Sequence, residues 1–148
     1  MSYLSFPSPL GMLTAFEGDG RLVAIEWGSP PPGAESTPLL AETKAQITAY
    51  FEGTLRKFDL PLAVSGTAFQ QRVYAQMALI PYGQTLTYAD IAERIGSASR
   101  PVGTACGRNP LPIIVPCHRV VGRNGLGGYS GGDGIDSKKF LLSLEGAV

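Results

Sequence analysis

The chain has 148 residues, twelve Lys/Arg balanced by twelve Asp/Glu, and 44% hydrophobic residues. That length allows a real core in one domain or two small ones. No run reaches the about 20 apolar residues of a membrane span, and the N-terminus lacks the basic, apolar and small-residue order of a secretory signal. Two cysteines make no disulfide framework, and a functional free thiol points to a reducing compartment, with the cytoplasm as the default. The zero net charge hides an asymmetry. Residues 1–65 hold four Lys/Arg against seven Asp/Glu, or −3, and residues 66–148 hold eight against five, or +3. A modest basic excess permits DNA binding without arguing for it.

In chain order, residues 11–27 read as a β-hairpin turning at Glu17-Gly18-Asp19-Gly20, with Val23, Ile25 and Trp27 alternating on one face. Pro30-Pro31-Pro32-Gly33 marks a loop. Leu39 to Phe51 reads as an amphipathic helix with Leu40, Ile47 and Phe51 on one side, and Phe58 to Leu62 as a further short strand. Nothing in this part suggests chemistry, so residues 1–65 read as a scaffold domain. The boundary falls near Val64-Ser65-Gly66, and residues 66–148 form the second domain.

There, Thr67 and Gln70 form a capping box for a helix carrying Phe69, Val73 and Met77, which Pro81-Tyr82-Gly83 ends. Thr87 and Asp90 cap the next helix, where Tyr88, Ile91, Ala92 and Ile95 share a face and Gly96 stops the run. Ser99 starts another through Val102, Ala105 and Cys106. Two short helices around a tight turn outline a helix-turn-helix. Gly103, Thr104, Ala105, Cys106 and Gly107 leave the second helix almost without bulk, and Arg100 is its one long charged side chain. Such smallness serves either close approach to another surface or packing against the protein's own core. Gly122 to Gly128 is a glycine-rich loop without the lysine of a phosphate loop, and Asp136 is placed to cap a last helix through Phe140, Leu141 and Leu144.

The centre of the chain is Ile113-Ile114-Val115-Pro116-Cys117-His118-Arg119-Val120-Val121, an apolar segment expected as a strand. It holds the only histidine beside one of the two cysteines. A base beside a thiol is the arrangement of an activated nucleophile. A small core hydrophobe beside a core histidine would look the same, because a Cys-His pair alone is a weak signal.

The wider context resembles the O6-alkylguanine-DNA alkyltransferases. The stretch from Asn109-Pro110-Leu111-Pro112 through Gly122 is similar to that family's signature. Phe69-Gln70-Gln71, Ile80-Pro81-Tyr82-Gly83 and Thr87-Tyr88 precede it in the family's order, and Gly128-Tyr129-Ser130-Gly131-Gly132 and Leu141 to Gly146 follow. The likeness is strong over about residues 66–146 and weaker before, where Ser8-Pro9-Leu10-Gly11 and Asp19-Gly20 through Trp27 still fit. It implies an α/β protein: a small RNase H-like N-terminal α/β domain, then a mainly helical C-terminal domain with a helix-turn-helix.

The resemblance also implies a reaction, the stoichiometric transfer of an alkyl group from O6-alkylguanine in DNA to Cys117, with O4-alkylthymine as a further candidate substrate. His118 would be the general base through a water, and Glu145 would orient it. Asn109 would tie the helix-turn-helix to the active-site segment. The second helix, with Gly103 and Ala105, would enter the minor groove while Arg100 replaces the extruded base. Tyr88 and Thr87 would contact the DNA, and Pro112, Val120, Tyr129 and Ser130 would line the substrate pocket, Val120 through its carbonyl. Arg119 is expected to hold a structural ion pair. Pro101 stands where the family usually has alanine, a tolerable place for proline near a helix start.

No cofactor or metal is expected, since one His and two Cys leave no credible zinc site. The expected partner is double-stranded DNA carrying O6-alkylguanine, with no membrane, no obligate protein partner and a monomeric chain. A lesion-recognition protein that lacks transfer is disfavoured by Cys117. A helix-turn-helix regulator is disfavoured by a second helix poor in base-reading side chains. A cysteine hydrolase would need an oxyanion hole.

Overall fold

A computed structural model describes residues 2–28, 36–128, 132 and 134–147. The chain divides into two compact units, Met1–Ser65 and Gly66–Val148. In the first, β1 (Ser2–Ser8), β2 (Gly11–Gly18) and β3 (Arg21–Trp27) form an antiparallel sheet in that order, followed by α1 (Pro38–Phe51). The hairpin between β2 and β3 closes through Asp19 and Gly20, both at positive φ, as a two-residue turn requires. Its face differs from the simple alternation. Glu17 pairs with Leu22 and Phe16 with Ala24, so Val23 is the extra residue of a bulge. The bulge shifts the inward side, and Leu22 and Ile25, rather than Val23 and Trp27, are buried.

Helix α1 begins under a Thr37 side-chain cap and buries Leu40, Thr43, Ile47 and Tyr50. Phe51 is only half-buried. The expected strand at 58–62 reduces to a single parallel bridge between Leu22 and Leu62. Two hydrogen bonds between the Gln46 side chain and the Asp59 backbone pin this segment to α1 instead. The polar Ser2, Ser5 and Ser8 obscure β1 as a strand. The Pro30-Pro31-Pro32-Gly33 loop lies outside the described residues.

The second unit is mainly helical: α2 (Ala68–Ala78), β4 (Leu86–Thr87), α3 (Tyr88–Ile95), α4 (Ser99–Gly107), a 3-10 turn (Cys117–Arg119), β5 (Val120–Val121) and α5 (Ile135–Leu144). Thr67 with Gln70 and Thr87 with Asp90 make complete capping boxes, and Gly96 ends α3 in the left-handed conformation. β4 and β5 pair in parallel, Leu86 with Val120 and Thr87 with Val121, which fastens the start of α3 beside the Cys-His segment. Arg72 Nη2 donates to the Ile95 carbonyl, and Tyr74 Oη to the Ala105 carbonyl at 3.1 Å, so α2 holds both helices of the helix-turn-helix. Pro101 falls in the first turn of α4, where its missing N–H has no partner within the helix.

The last helix departs from expectation. Gly134, not Asp136, precedes it, and no side chain caps it. Its buried residues are Ser137, Lys138, Leu141 and Leu142, while Phe140 is 40% exposed. Positions 138, 141, 142 and 145 share one helical face, and Glu145 follows directly as the C-terminal cap residue. The fold class is the expected one, a small α/β unit followed by a helical unit with a helix-turn-helix.

Candidate active site around Cys117

Cys117 is not on a strand. Residues 111–116 turn twice before it. Ile113, fully buried and β-branched, sits at φ +74°, where such residues are strained. Pro116, at φ −81° and ψ 69°, makes an inverse γ-turn closed by Cys117 N donating to the Val115 carbonyl at 2.8 Å. The apolar run looked like a strand because most of it is packed, but Pro112 and Pro116 bar a ladder before Cys117, where the backbone bonds close locally, and only Val120–Val121 pairs as a strand.

Asn109 holds this turn. Its Nδ2 donates to the Val115 carbonyl at 2.7 Å, and its Oδ1 accepts from Leu111 N at 3.0 Å. It lies two residues past the end of α4, after the cap residue Arg108, so one side chain joins the helix-turn-helix to the cysteine segment. A hydrogen bond from Asn109 also favours the Cys117 thiolate, yet burial dominates and pushes the thiol up. Cys117 is 7% exposed and rests as a thiol.

His118 is wholly buried, with Nε2 2.7 Å from Glu145 Oε2. A carboxylate only accepts, so Nε2 carries the proton and Nδ1 keeps its lone pair. Nδ1 is buried with no hydrogen-bond partner among the described residues. Burial lowers the His118 pKa, outweighing the hydrogen bond to Glu145, so the imidazole is neutral and basic at neutral pH. Glu145 is fixed by more than His118. Arg119 Nε donates to its Oε1 at 2.8 Å and Nη2 to its Oε2 at 3.0 Å, and Gly83 N adds a bond to Oε1 at 3.1 Å. Arg119 is thus the expected ion-pair residue, and its remaining Nη1 binds the Ile80 carbonyl.

A cavity of about 860 Å³ opens onto Cys117, bordered by Tyr88 and by Arg100, Gly103 and Gly107 of α4, with Gly128 on the loop side. Tyr88, Arg100, Gly103 and Cys117 therefore come together as the sequence suggests. Other candidates do not face this space. Ala105 is 2% exposed on the packed side of α4 with Val102, because a helix that opens 100, 103, 104 and 107 must bury 102 and 105. It faces the core, not a groove. Thr87 caps α3 and pairs with Val121, and Pro112 is buried in the turn. Tyr129 and Ser130 lie outside the described residues.

Lys138 escapes sequence reasoning. It is 0% exposed, and its Nζ donates to the Val120 carbonyl at 2.6 Å, to Gly128 O at 3.2 Å and to Tyr88 Oη at 3.4 Å. The Val120 carbonyl assigned to the substrate thus already carries a lysine donor. The available signal was a lysine on the same face as Leu141 and Leu142. Cys106 also borders the cavity. Its thiol donates to Met77 Sδ at 3.5 Å, and burial pushes it up to about 12, so it is a weak nucleophile. Among the described residues no group of His, Cys, Asp and Glu is placed to hold a metal ion.

Residues 1–64 match the family described as 6-O-methylguanine DNA methyltransferase, ribonuclease-like domain, and residues 68–147 match its DNA binding domain. The chain belongs to the 6-O-methylguanine DNA methyltransferase family. The methylated-DNA--protein-cysteine methyltransferase of Methanosarcina acetivorans is 46% identical, covering 99% of both chains. The constitutive enzyme of that name from Bacillus subtilis is 43% identical over 97% of this chain and 94% of its own. Among solved methyltransferases of the family, the Mycobacterium tuberculosis OGT crystal structure in complex with DNA superposes with a TM-score of 0.87 at 43% identity, covering 99% of this chain and 94% of that one.

Proposed function

We propose that this protein repairs DNA by moving an alkyl group from O6 of guanine to Cys117 Sγ, once per molecule. The observation that carries the reading is the cavity that opens on Cys117 between Tyr88 and the bare face of α4, with the His118–Glu145 pair behind it. Neutral His118 takes the thiol proton at Nδ1 through a water, and Glu145 steadies the imidazolium that forms. The thiolate attacks the alkyl carbon, the S–C bond forms, the C–O6 bond breaks, and the electron pair passes to the purine. Tyr88, pushed up to about 12 by burial, stays protonated and donates to the departing base.

DNA reaches the cysteine by extrusion of the damaged nucleotide. The open face of α4 at Gly103 and Gly107 has little side-chain bulk to hold it off the minor groove. Exposed Arg100 fills the gap left in the stack. O4-alkylthymine is a second substrate of the same chemistry. The protein works as a monomer on double-stranded DNA, without cofactor, in the reducing cytoplasm, and residues 1–65 serve as scaffold. No helix among the described residues is long and apolar enough to cross a membrane.

The test is a titration of a duplex containing O6-methylguanine with limiting protein. Lesion loss that stops at one per protein, and vanishes in Cys117→Ser, supports the proposal. Repeated turnover without added thiol contradicts it.

A further inference from the structure

One short turn reaches the His118–Glu145 pair from outside the cavity. Residues Ile80 to Gly83 follow α2 and present their backbone to both members of the Arg119–Glu145 ion pair. The Ile80 carbonyl accepts from Arg119 Nη1 at 2.7 Å, and Gly83 N donates to Glu145 Oε1 at 3.1 Å. Carbonyl meets cation and N–H meets anion, so the polarity of the segment matches the pair it covers. The turn grips the end of α5 a second time, where Tyr82 Oη donates to the Leu144 carbonyl at 3.3 Å. A Cβ on Gly83 would lie 3.1 Å from the Glu145 backbone oxygen, tighter than an ordinary contact.

The turn type aims the N–H. Gln84 N donates to the Pro81 carbonyl at 3.1 Å, which makes Tyr82 and Gly83 the central residues of a β-turn. Gly83 is at φ +80° and Tyr82 is not at positive φ, so the turn is type II. In a type I turn the peptide between the central residues is turned over, and the Tyr82 carbonyl would point where the Gly83 N–H now points. A side chain at 83 resists φ +80°, and a β-branched one resists it most. Glycine therefore decides whether Glu145 Oε1 meets a donor or an acceptor. With Oε1 held by Gly83 N and Arg119 Nε, Oε2 stays 2.7 Å from His118 Nε2.

We propose that Gly83 is a positioning residue for alkyl transfer: its peptide, turned over by the type II geometry, fixes the carboxylate that orients His118 as the base for Cys117. This rests on the proposed function, in which His118 takes the thiol proton. Gly83 does not line the cavity, so its contribution runs through Glu145 and His118.

The experiment compares wild type, Gly83→Val, Gly83→Ala, Gly83→Asn and Tyr82→Phe. Each is tested for single-turnover methyl transfer from an O6-methylguanine duplex, duplex affinity, and Cys117 alkylation by iodoacetamide. NMR of the Nε2–H proton of His118, the only histidine, reports its bond to Glu145. Gly83→Val should slow both reactions about tenfold or more, with duplex affinity nearly unchanged and the Nε2–H signal moved upfield. Asparagine tolerates positive φ, so Gly83→Asn should keep more rate and signal than Gly83→Ala although its side chain is larger. That order serves alone if the valine variant does not fold. Tyr82→Phe removes a bond between the same turn and α5 without touching the carboxylate, and should leave rate and signal near wild type. Losses that follow side-chain size, an unmoved Nε2–H signal in Gly83→Val and Gly83→Ala, or equal losses in Tyr82→Phe would overturn the inference. A wild-type protein that takes no methyl from the duplex, while its Cys117 still reacts with iodoacetamide, would instead overturn the proposed function beneath it.

Discussion

Replacing Arg119 by methionine should expose how the His118–Glu145 pair is supported. The Glu145 side chain is wholly buried and takes two hydrogen bonds from Arg119, one from His118 and one from Gly83 N. Without the guanidinium, the buried carboxylate loses the two donors that carry a full positive charge, while the neutral imidazole and the Gly83 N–H remain. Removing one member of a buried ion pair costs about 3–5 kcal/mol, and losing the donor to the Ile80 carbonyl adds about 1 kcal/mol. Against a total stability of about 5–15 kcal/mol this is a large fraction. Urea unfolding should show a lower midpoint with an unchanged slope. The charge of Arg119 also disfavours imidazolium, so the His118 pKa, followed by NMR of the single imidazole, should rise in the variant. A loss below about 1 kcal/mol, the range of an exposed pair, together with an unmoved His118 pKa, would refute this account of the site.

Other expectations follow from single residues. Gly127→Ala should destabilise by about 1–3 kcal/mol, because φ is +74° and its Cβ would lie 2.8 Å from Tyr88; thermal unfolding reads this out, and an unchanged midpoint contradicts it. Gly103→Ala should raise stability by up to about 1 kcal/mol through helix propensity, since its Cβ meets Tyr88 at an ordinary 3.9 Å. Gly103→Gln should weaken duplex affinity severalfold without unfolding the protein, and unchanged affinity would remove α4 from the interface. His118 gives a pH signature. Its folded pKa lies below the unfolded value of about 6.5, so its contribution is complete above that pH and is lost as pH falls below it. Stability should therefore decline below about pH 6.5 in the wild type and less steeply in His118→Asn; parallel profiles would contradict the assignment.

Much of this was legible in the residues, and the failures have physical causes. The capping boxes at Thr67 and Thr87 and the stop at Gly96 are local chemistry, written in adjacent positions. Asn109, Cys117, His118 and Glu145 came from ordered motifs rather than from periodicity, and position alone made Glu145 a chain-end carboxylate. The Cys117 segment misread as a strand because burial on all sides gives the same apolar run as a central strand. Val23 misled because a bulge changes the phase of alternation without leaving a mark in the sequence. Lys138 was invisible because its partners are two backbone carbonyls and a phenol from three separated segments. Ala105 was assigned to the open face of a helix so uniformly small that its two sides look alike.

The most direct measurement of the central claim is the intact mass of the protein before and after mixing with a duplex containing O6-methylguanine, followed by peptide mapping. A gain of one methylene equivalent on Cys117, absent in Cys117→Ser, is the predicted result. A lesion that disappears while Cys117 keeps its mass, or a gain carried by Cys106, would contradict the account.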